Sequence, residues 1–356
     1  MTDKQDGIAR LAALDSDYQA LGLDRDTIAP WEDGQRIGTG PGAWEWWYFD
    51  SHLDNGATLV VGFYTKPPDH PEAPLMPVLT LNLTLPDGRI FDKKRVIAPA
   101  EFSASKEGCD VRMAENVFKG DLHRYRIEAS IDDIAIKLDL QGEIPSWRPR
   151  TGHRFFEKDG QRRFFAWFPS VPQGRVDVSC RIGDEHFETT GTGYHDHNWG
   201  DAAMAELIHD WYWARASIGP YTVIASHIVG EQDYGYQSMK AFVLATDGRI
   251  VADDETRVRF EAEQVFTDES TGKPVANVTR YTFDDGKTKY VIAFVREKTI
   301  LNEIFGADVD GERACYQRFI GKATLEKFED GQLIERHEDS AIWEMMYFGQ
   351  ALLPSA

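Results

Sequence analysis

The chain has 356 residues, of which 42% are hydrophobic and 28% charged, and its formal net charge is −20. The composition is that of an ordinary globular protein, and the length exceeds what one hydrophobic core usually serves, so two domains are expected. So acidic a chain is poorly suited to nucleic acid or to an anionic membrane surface, and no apolar run approaches the ~18 residues of a membrane-crossing helix.

At the N-terminus, Ile8, Leu11, Leu14, Tyr18 and Leu21 recur at helical spacing. That predicts an amphipathic helix over residues 8–23, followed by a loop to about Gly42. The segment before it is polar and acidic, without a signal-peptide pattern. The aromatic run Trp44-Glu45-Trp46-Trp47-Tyr48-Phe49-Asp50 comes next. Further on, Leu79, Leu81, Leu83 and Leu85 alternate with Val78, Thr80, Asn82 and Thr84, the pattern of a half-buried strand. Asp-Gly pairs at 87, 159, 247, 285 and 330 mark hairpins, because both central residues of a type I′ turn need positive φ. The chain is therefore expected to be mainly antiparallel β. Arg148, Arg150, Arg154, Arg162 and Arg163 form a local basic cluster, read either as a solvated loop or as a carboxylate or pyrophosphate site. The cysteines Cys109, Cys180 and Cys315 have no metal or redox spacing and fit a reducing, cytoplasmic location.

The two halves repeat one another. Trp44-Glu45-Trp46 resembles Trp211-Tyr212-Trp213, and Thr58–Val61 resembles Thr222–Ala225. Leu85–Ile90 resembles Ala245–Ile250, and Arg124-Tyr125 resembles Arg280-Tyr281. The order is kept while the offset falls from 167 to 156 residues. Loop deletions in a duplicated domain produce such a drift. The expected organisation is an N-terminal helical extension (1–34), a first β domain (35–200) and a second (201–356). Each has the size of an antiparallel barrel or sandwich, and a barrel of ~8 strands can hold one small ligand.

Chemistry concentrates in Tyr194-His195-Asp196-His197-Asn198-Trp199-Gly200. In a strand, Tyr194, Asp196 and Asn198 share one face and His195, His197 and Trp199 the other. The second half carries His337–Ile342 at the matching place before Trp343, without the motif. One reading makes His195 and His197 an H-x-H metal pair completed by His209, His227 or Glu45. Hydrogen-bonded structural histidines at the domain junction are the alternative, and on that alternative no metal or other cofactor is needed. The other reading makes Asp196 a general acid, against the alternative of an ionised, inert carboxylate bonding backbone amides at a turn before Gly200. An apolar pocket desolvates its charged form, raises its pKa and lets it protonate a weak base, even an alkene. Tyr194 would bond or relay the proton, and aromatic faces would stabilise the cation. Glu45 is the second candidate acid if it faces inward. Trp44, Trp46, Trp47, Tyr48, Trp199, Trp211 and Trp213 are candidates for the pocket, although aromatic strands more often form plain core. Rossmann, P-loop, nucleophile-elbow and zincin signatures are absent.

The segments Glu45-Trp46-Trp47-Tyr48, with Asn55-Gly56 after them, and Tyr194–Gly200 resemble the carotenoid 1,2-hydratase / AttH-like family over about residues 40–350. That resemblance implies two lipocalin-like domains and relatives such as kievitone hydratase and fungal cofactor-free cyclases, Diels–Alderases among them. It implies that Asp196 is the acid, with Tyr194 beside it and Trp167 in the pocket. The resulting expectation is a cofactor-independent enzyme that hydrates, cyclises or isomerises an apolar alkene-containing terpenoid or polyene. Asp196, Tyr194, His195 and Glu45 are the catalytic candidates. His197 joins the aromatics and Trp167 as candidate binding residues. The rival expectation is a non-catalytic lipocalin-type carrier of a hydrophobic ligand.

Overall fold

Asp-Gly turns and alternating apolar residues fold the chain into antiparallel sheet. The structure, a computed structural model, describes residues 7–68, 70–309 and 312–351. In the first half the strands are β1 (Ile8–Leu11), β2 (Trp44–Leu53), β3 (Thr58–Tyr64), β4 (Val78–Thr84), β5 (Ile90–Val96), β6 (Phe102–Ala104) and β7 (Asp110–Met113). They continue with β8 (Asn116–Gly120), β9 (Arg124–Ile131), β10 (Ile134–Gly142), β11 (His153–Lys158), β12 (Gln161–Ile182) and β13 (Glu185–Gly200). The sheet runs β5-β4-β3-β2-β13-β12-β10-β9-β8-β7-β6, with β1 and β11 attached beside β12. The second half holds β14 (Ile208–Ile218), β15 (Tyr221–Gly230), β16 (Ser238–Thr246), β17 (Arg249–Ala252), β18 (Val258–Thr267), β19 (Pro274–Asp284), β20 (Thr288–Val309), β21 (Glu312–Glu329) and β22 (Gln332–Tyr347). Its sheet runs β17-β16-β15-β14-β22-β21-β20-β19-β18. The fold is mainly β and lipocalin-like.

The two strand orders match. The segments Trp44–Trp46 and Trp211–Trp213 lie on β2 and β14, and Thr58–Val61 and Thr222–Ala225 on β3 and β15. The paired Asp87 and Asp247 turns follow β4 and β16, and Arg124-Tyr125 and Arg280-Tyr281 lie on β9 and β19. Each pair holds the same place in its sheet. Chain contacts divide into two compact units, one comprising Leu11–Phe155 and Arg163–Met204. The other comprises the chain up to Arg10, Phe156–Arg162 and Ala205 onward.

Three of the five Asp-Gly pairs make two-residue turns with both φ positive: Asp159 (51°) and Gly160 (76°), Asp247 (51°) and Gly248 (69°), Asp330 (49°) and Gly331 (78°). In the other two only the glycine has positive φ. There the loops are longer, and aspartate side chains cap them. Asp87 accepts from the Arg89 amide at 3.0 Å, and Asp285 accepts from those of Lys287 and Thr288 at 2.9 and 2.7 Å.

The N-terminal segment differs from its periodicity. Residues 8–11 are a strand, and the helix α1 covers only Asp15–Leu21. Pairing with β11 satisfies the backbone of β1, and the buried residue there is Ala9, while Ile8 is exposed. A short apolar run gives no means of choosing between the two periods, and a distant partner strand decides it. The helix begins where Asp17 accepts from the Leu14 amide at 3.0 Å and ends at Gly22, whose φ of 68° is left-handed.

In the first unit, Trp47, Phe49, Val61, Phe63, Leu79, Leu81 and Leu83 face one continuous core with Phe118, Ile127 and Val171. On β2 and β13 the alternate residues face away from it, and the acid of the motif is among them.

Candidate active site

β13 lies between β2 and β12, and its register sets the site. Asp196 stands opposite Tyr48, Asn198 opposite both Trp46 and Trp167, and Tyr194 opposite Asp50. Residues directly opposite on neighbouring strands project to the same face. Tyr194, Asp196, Asn198, Tyr48, Trp46 and Trp167 therefore share the face turned from the core.

Asp196 is 8% exposed and accepts three hydrogen bonds. The Tyr194 hydroxyl donates to Oδ2 at 2.7 Å, Trp167 Nε1 to the same oxygen at 2.9 Å, and Asn198 Nδ2 to Oδ1 at 2.8 Å. Burial raises the carboxyl's pKa, and the bonds from Tyr194 and Trp167 and the nearby His195 pull it back, leaving it at about 6 instead of 3.8. Trp167 Nε1 also lies 3.3 Å from the Tyr194 oxygen. That oxygen has lone pairs, so when Asp196 is protonated it can receive the acid's O–H. The group can thus hold or release a proton near neutral pH, with the Tyr194 hydroxyl hydrogen turning away from Oδ2 when the acid donates.

Aromatic rings surround it. Tyr48 meets Tyr194 edge-on at 6.4 Å, Trp46 stacks on Trp44 at 4.8 Å, and Trp147 meets Trp167 edge-on at 5.6 Å. Trp44 donates its indole N–H to the Ala202 carbonyl at 2.7 Å.

The opposite face carries a different network. His195 and His197 are fully buried. Nδ1 of His195 contacts the Tyr48 carbonyl at 2.8 Å, and because a carbonyl only accepts, that nitrogen carries a hydrogen. Its Nε2 is 3.1 Å from Asp33 Oδ2, which also accepts from the Tyr125 hydroxyl at 2.5 Å. His197 stacks on Trp47 at 4.7 Å, lies 4.7 Å from Trp199, and places Nε2 2.8 Å from Glu45 Oε1. The Arg36 amide donates to the same Glu45 oxygen at 2.6 Å. Burial alone would raise the pKa of Asp33, but the neighbouring histidines hold it below the ordinary carboxylate range.

The candidate residues therefore divide. Asp196 and Tyr194 share a face with Trp44, Trp46, Tyr48 and Trp167. Glu45, Trp47, His195, His197 and Trp199 occupy the other. Both histidines find their partners within their own unit. Trp211 and Trp213 lie on β14 in the other unit, where Trp211 packs on Phe348 at 5.6 Å. The suggested third metal ligands are engaged elsewhere. His209 bonds Asp210 at 2.6 Å and the Gln350 carbonyl at 2.8 Å, while His227 bonds Ser238 at 2.8 Å. Glu45 reaches His197 alone of the pair. Among the described residues, Asp33, Cys109 and His195 do bring ligand atoms within 4.8 Å of one another. Burial pushes the Cys109 thiol well up, and neighbouring Asp33 adds to this. A metal would need the thiolate; Asp33 Oδ2 and both His195 nitrogens are already engaged, while Asp33 Oδ1 has no hydrogen-bond partner among the described residues.

Sequence reading passed over Asp33 and Tyr125, which lie 162 and 70 residues from His195 and carry no local motif. Asn198 was legible only as a member of the motif. The arginine cluster disperses. Arg148 is buried and paired with Glu32, Arg162 pairs with Glu157 at 2.8 Å, and Arg154 is fully buried.

The Diels-Alderase-like family matches residues 38–327. The quinolone epoxide rearrangement protein asqO of Emericella nidulans is 25% identical over 315 residues, which cover 81% of this chain and 84% of that protein. Kievitone hydratase from Nectria haematococca aligns with a TM-score of 0.56 at 10% identity, covering 97% of this chain and 98% of its own. A Nitrosomonas europaea protein assigned as an AttH aligns with a TM-score of 0.54 at 15% identity, covering 91% and 97%. At these identities the two structures establish the fold alone.

Proposed function

On the premise that this chain belongs to the Diels-Alderase-like family, we propose that it is a cofactor-independent enzyme that hydrates, cyclises or isomerises an apolar alkene-containing small molecule, a terpenoid or polyene, with Asp196 as general acid. The observation that carries this reading is a buried carboxyl, pushed up to about 6, on an aromatic face. At pH 7 roughly a tenth of such a group is protonated, and proton transfer is most effective when donor pKa and working pH are close. The relative that aligns along most of the chain, an epoxide rearrangement protein, supports chemistry over mere carriage.

Asp196 gives its proton to one alkene carbon, forming a C–H bond and leaving its own carboxylate. The cation left on the adjacent carbon lies against the Tyr48, Trp46 and Trp167 rings, whose negative faces stabilise it. Water then adds and returns a proton to Asp196, or an internal nucleophile closes a ring, or the carboxylate removes a different proton. The acid is regenerated after hydration or proton loss, and after cyclisation once the ring-closed product sheds its proton. An acid of this strength protonates an isolated alkene poorly, so the reading favours a conjugated substrate whose cation is delocalised. Tyr194 and Asn198 orient the carboxyl. His195 and Glu45, on the opposite face, are positioning residues: His195 ties the Tyr48 carbonyl to Asp33, and Glu45 ties β2 to His197.

The test is incubation with a panel of terpenoids and polyenes, with mass spectrometry for a gain of water or an isobaric product. Asp196→Asn should abolish turnover while retaining ligand binding. Turnover unchanged in Asp196→Asn would refute the acid role, and binding without turnover in the wild type would support a carrier.

A further inference from the structure

One buried charge on the Asp196 face has no neutralising group among the described residues. Arg154, on β11, is fully buried, and none of its guanidinium nitrogens has a hydrogen-bond partner among the described residues. Other buried cations are satisfied. Lys66 donates to the carbonyls of Gly40, Pro71 and Ala73, Lys273 to that of Gly349, and Arg148 pairs with Glu32. Strand alternation places Arg154 with the acid. Its neighbour His153 packs on Trp199 and Phe164, at 5.3 Å from each, so Arg154 projects to the other face. There its guanidinium carbon is 5.5 Å from the Phe165 ring centroid and 5.6 Å from that of Trp167. Trp167 is the residue that donates to Asp196 at 2.9 Å.

Two aromatic faces stabilise a guanidinium in part, but they do not occupy its N–H donors. A buried charge without a counter-charge is strongly destabilising, and buried charges are as a rule paired. Burial alone lowers the Arg154 pKa, to about 10, so the group is cationic at neutral pH. Its planar fork matches two oxygens side by side, the geometry of a carboxylate.

We propose that Arg154 is a substrate-binding residue that receives an anionic oxygen group, best a carboxylate, at one end of an otherwise apolar substrate. The proposal rests on the Asp196 face being the substrate site and adds the substrate's chemical class: an unsaturated acid in place of a plain hydrocarbon. The anion at Arg154 anchors one end of the molecule and so selects which double bond lies against Asp196. The indole of Trp167 touches both groups and sets their separation.

The test uses quenching of tryptophan fluorescence in the full-length protein by two probes, all-trans-retinoate and its methyl ester. The wild type should bind the acid at least ~10-fold tighter than the ester, a difference of about 1.4 kcal/mol. Arg154→Leu should lose this preference while binding the ester as the wild type does, and Arg154→Lys should retain part of it. Equal binding of acid and ester by the wild type, or a preference unchanged in Arg154→Leu, overturns the proposal. Thermal unfolding separates a folding role. Removing an unpaired buried charge should raise the midpoint, whereas a lowered midpoint with loss of both ligands makes Arg154 structural and also overturns the proposal. Repeating the titration in Asp196→Asn keeps the two readings apart. The acid preference should survive there whether or not turnover does.

Discussion

Replacing Asp196 with asparagine should change how stability depends on pH, in a direction that follows from its surroundings. The folded carboxyl titrates at about 6 and an unconstrained one at 3.8. Below pH 3.8 both states are protonated and burial carries no charge penalty. Between 3.8 and about 6 the unfolded chain releases its proton while the folded one keeps it, so stability falls as pH rises. Above about 6 the penalty is complete. At 1.36 kcal/mol per pH unit the gap amounts to about 3 kcal/mol, an order-of-magnitude figure for a group this buried. Asparagine cannot ionise and escapes the penalty. Its amide does replace an acceptor with a donor facing Trp167, Tyr194 or Asn198, a cost that is the same at every pH. The discriminating quantity is therefore the slope. In urea unfolding, the stability of Asp196→Asn relative to the wild type should rise by up to about 3 kcal/mol from pH 4 to pH 7. A flat difference, or one falling with pH, would refute the account of a carboxyl kept protonated by burial.

Turnover by the wild type should decline as pH rises through about 6, because the protonated form of Asp196 is the acid. Tyr194→Phe removes a donor that favours the ionised form, so it should move that decline to higher pH and lower kcat by roughly 10-fold to 100-fold. A pH profile of kcat/KM reads both effects. His197→Ala removes the side-chain partner of fully buried Glu45, which keeps the Arg36 amide, and should destabilise the protein by about 1 to 3 kcal/mol in urea unfolding. A loss under 0.5 kcal/mol would show that the Glu45 contact is dispensable. Turnover should be unaffected by prolonged dialysis against a chelator. Activity that disappears and returns with zinc would move the chemistry to Asp33, Cys109 and His195.

Features that follow from local periodicity were legible without coordinates. A strand has a two-residue repeat, so the division of Tyr194, Asp196 and Asn198 from His195, His197 and Trp199 needed only the knowledge that this segment is extended. The buried Leu79, Leu81 and Leu83 follow from the same rule. Two-residue Asp-Gly turns followed from the φ that glycine permits, and the ordered repeat anticipated two sheets of matching strand order. Which face meets the core is not local. The run Trp44–Asp50 is aromatic on both faces, and only its pairing with β3 and β13 sends Trp47 and Phe49 into the core and Trp46 and Tyr48 away from it. Ile8–Leu11 follows a helical spacing and is a strand, because a partner more than a hundred residues away satisfies its backbone. The same holds for charge. Asp33 and Arg154 carry no motif, since a buried group's state depends on what stands within a few ångströms of it. Tertiary structure surrounds one with two histidines and a tyrosine, and leaves the other between two aromatic rings with its donors open.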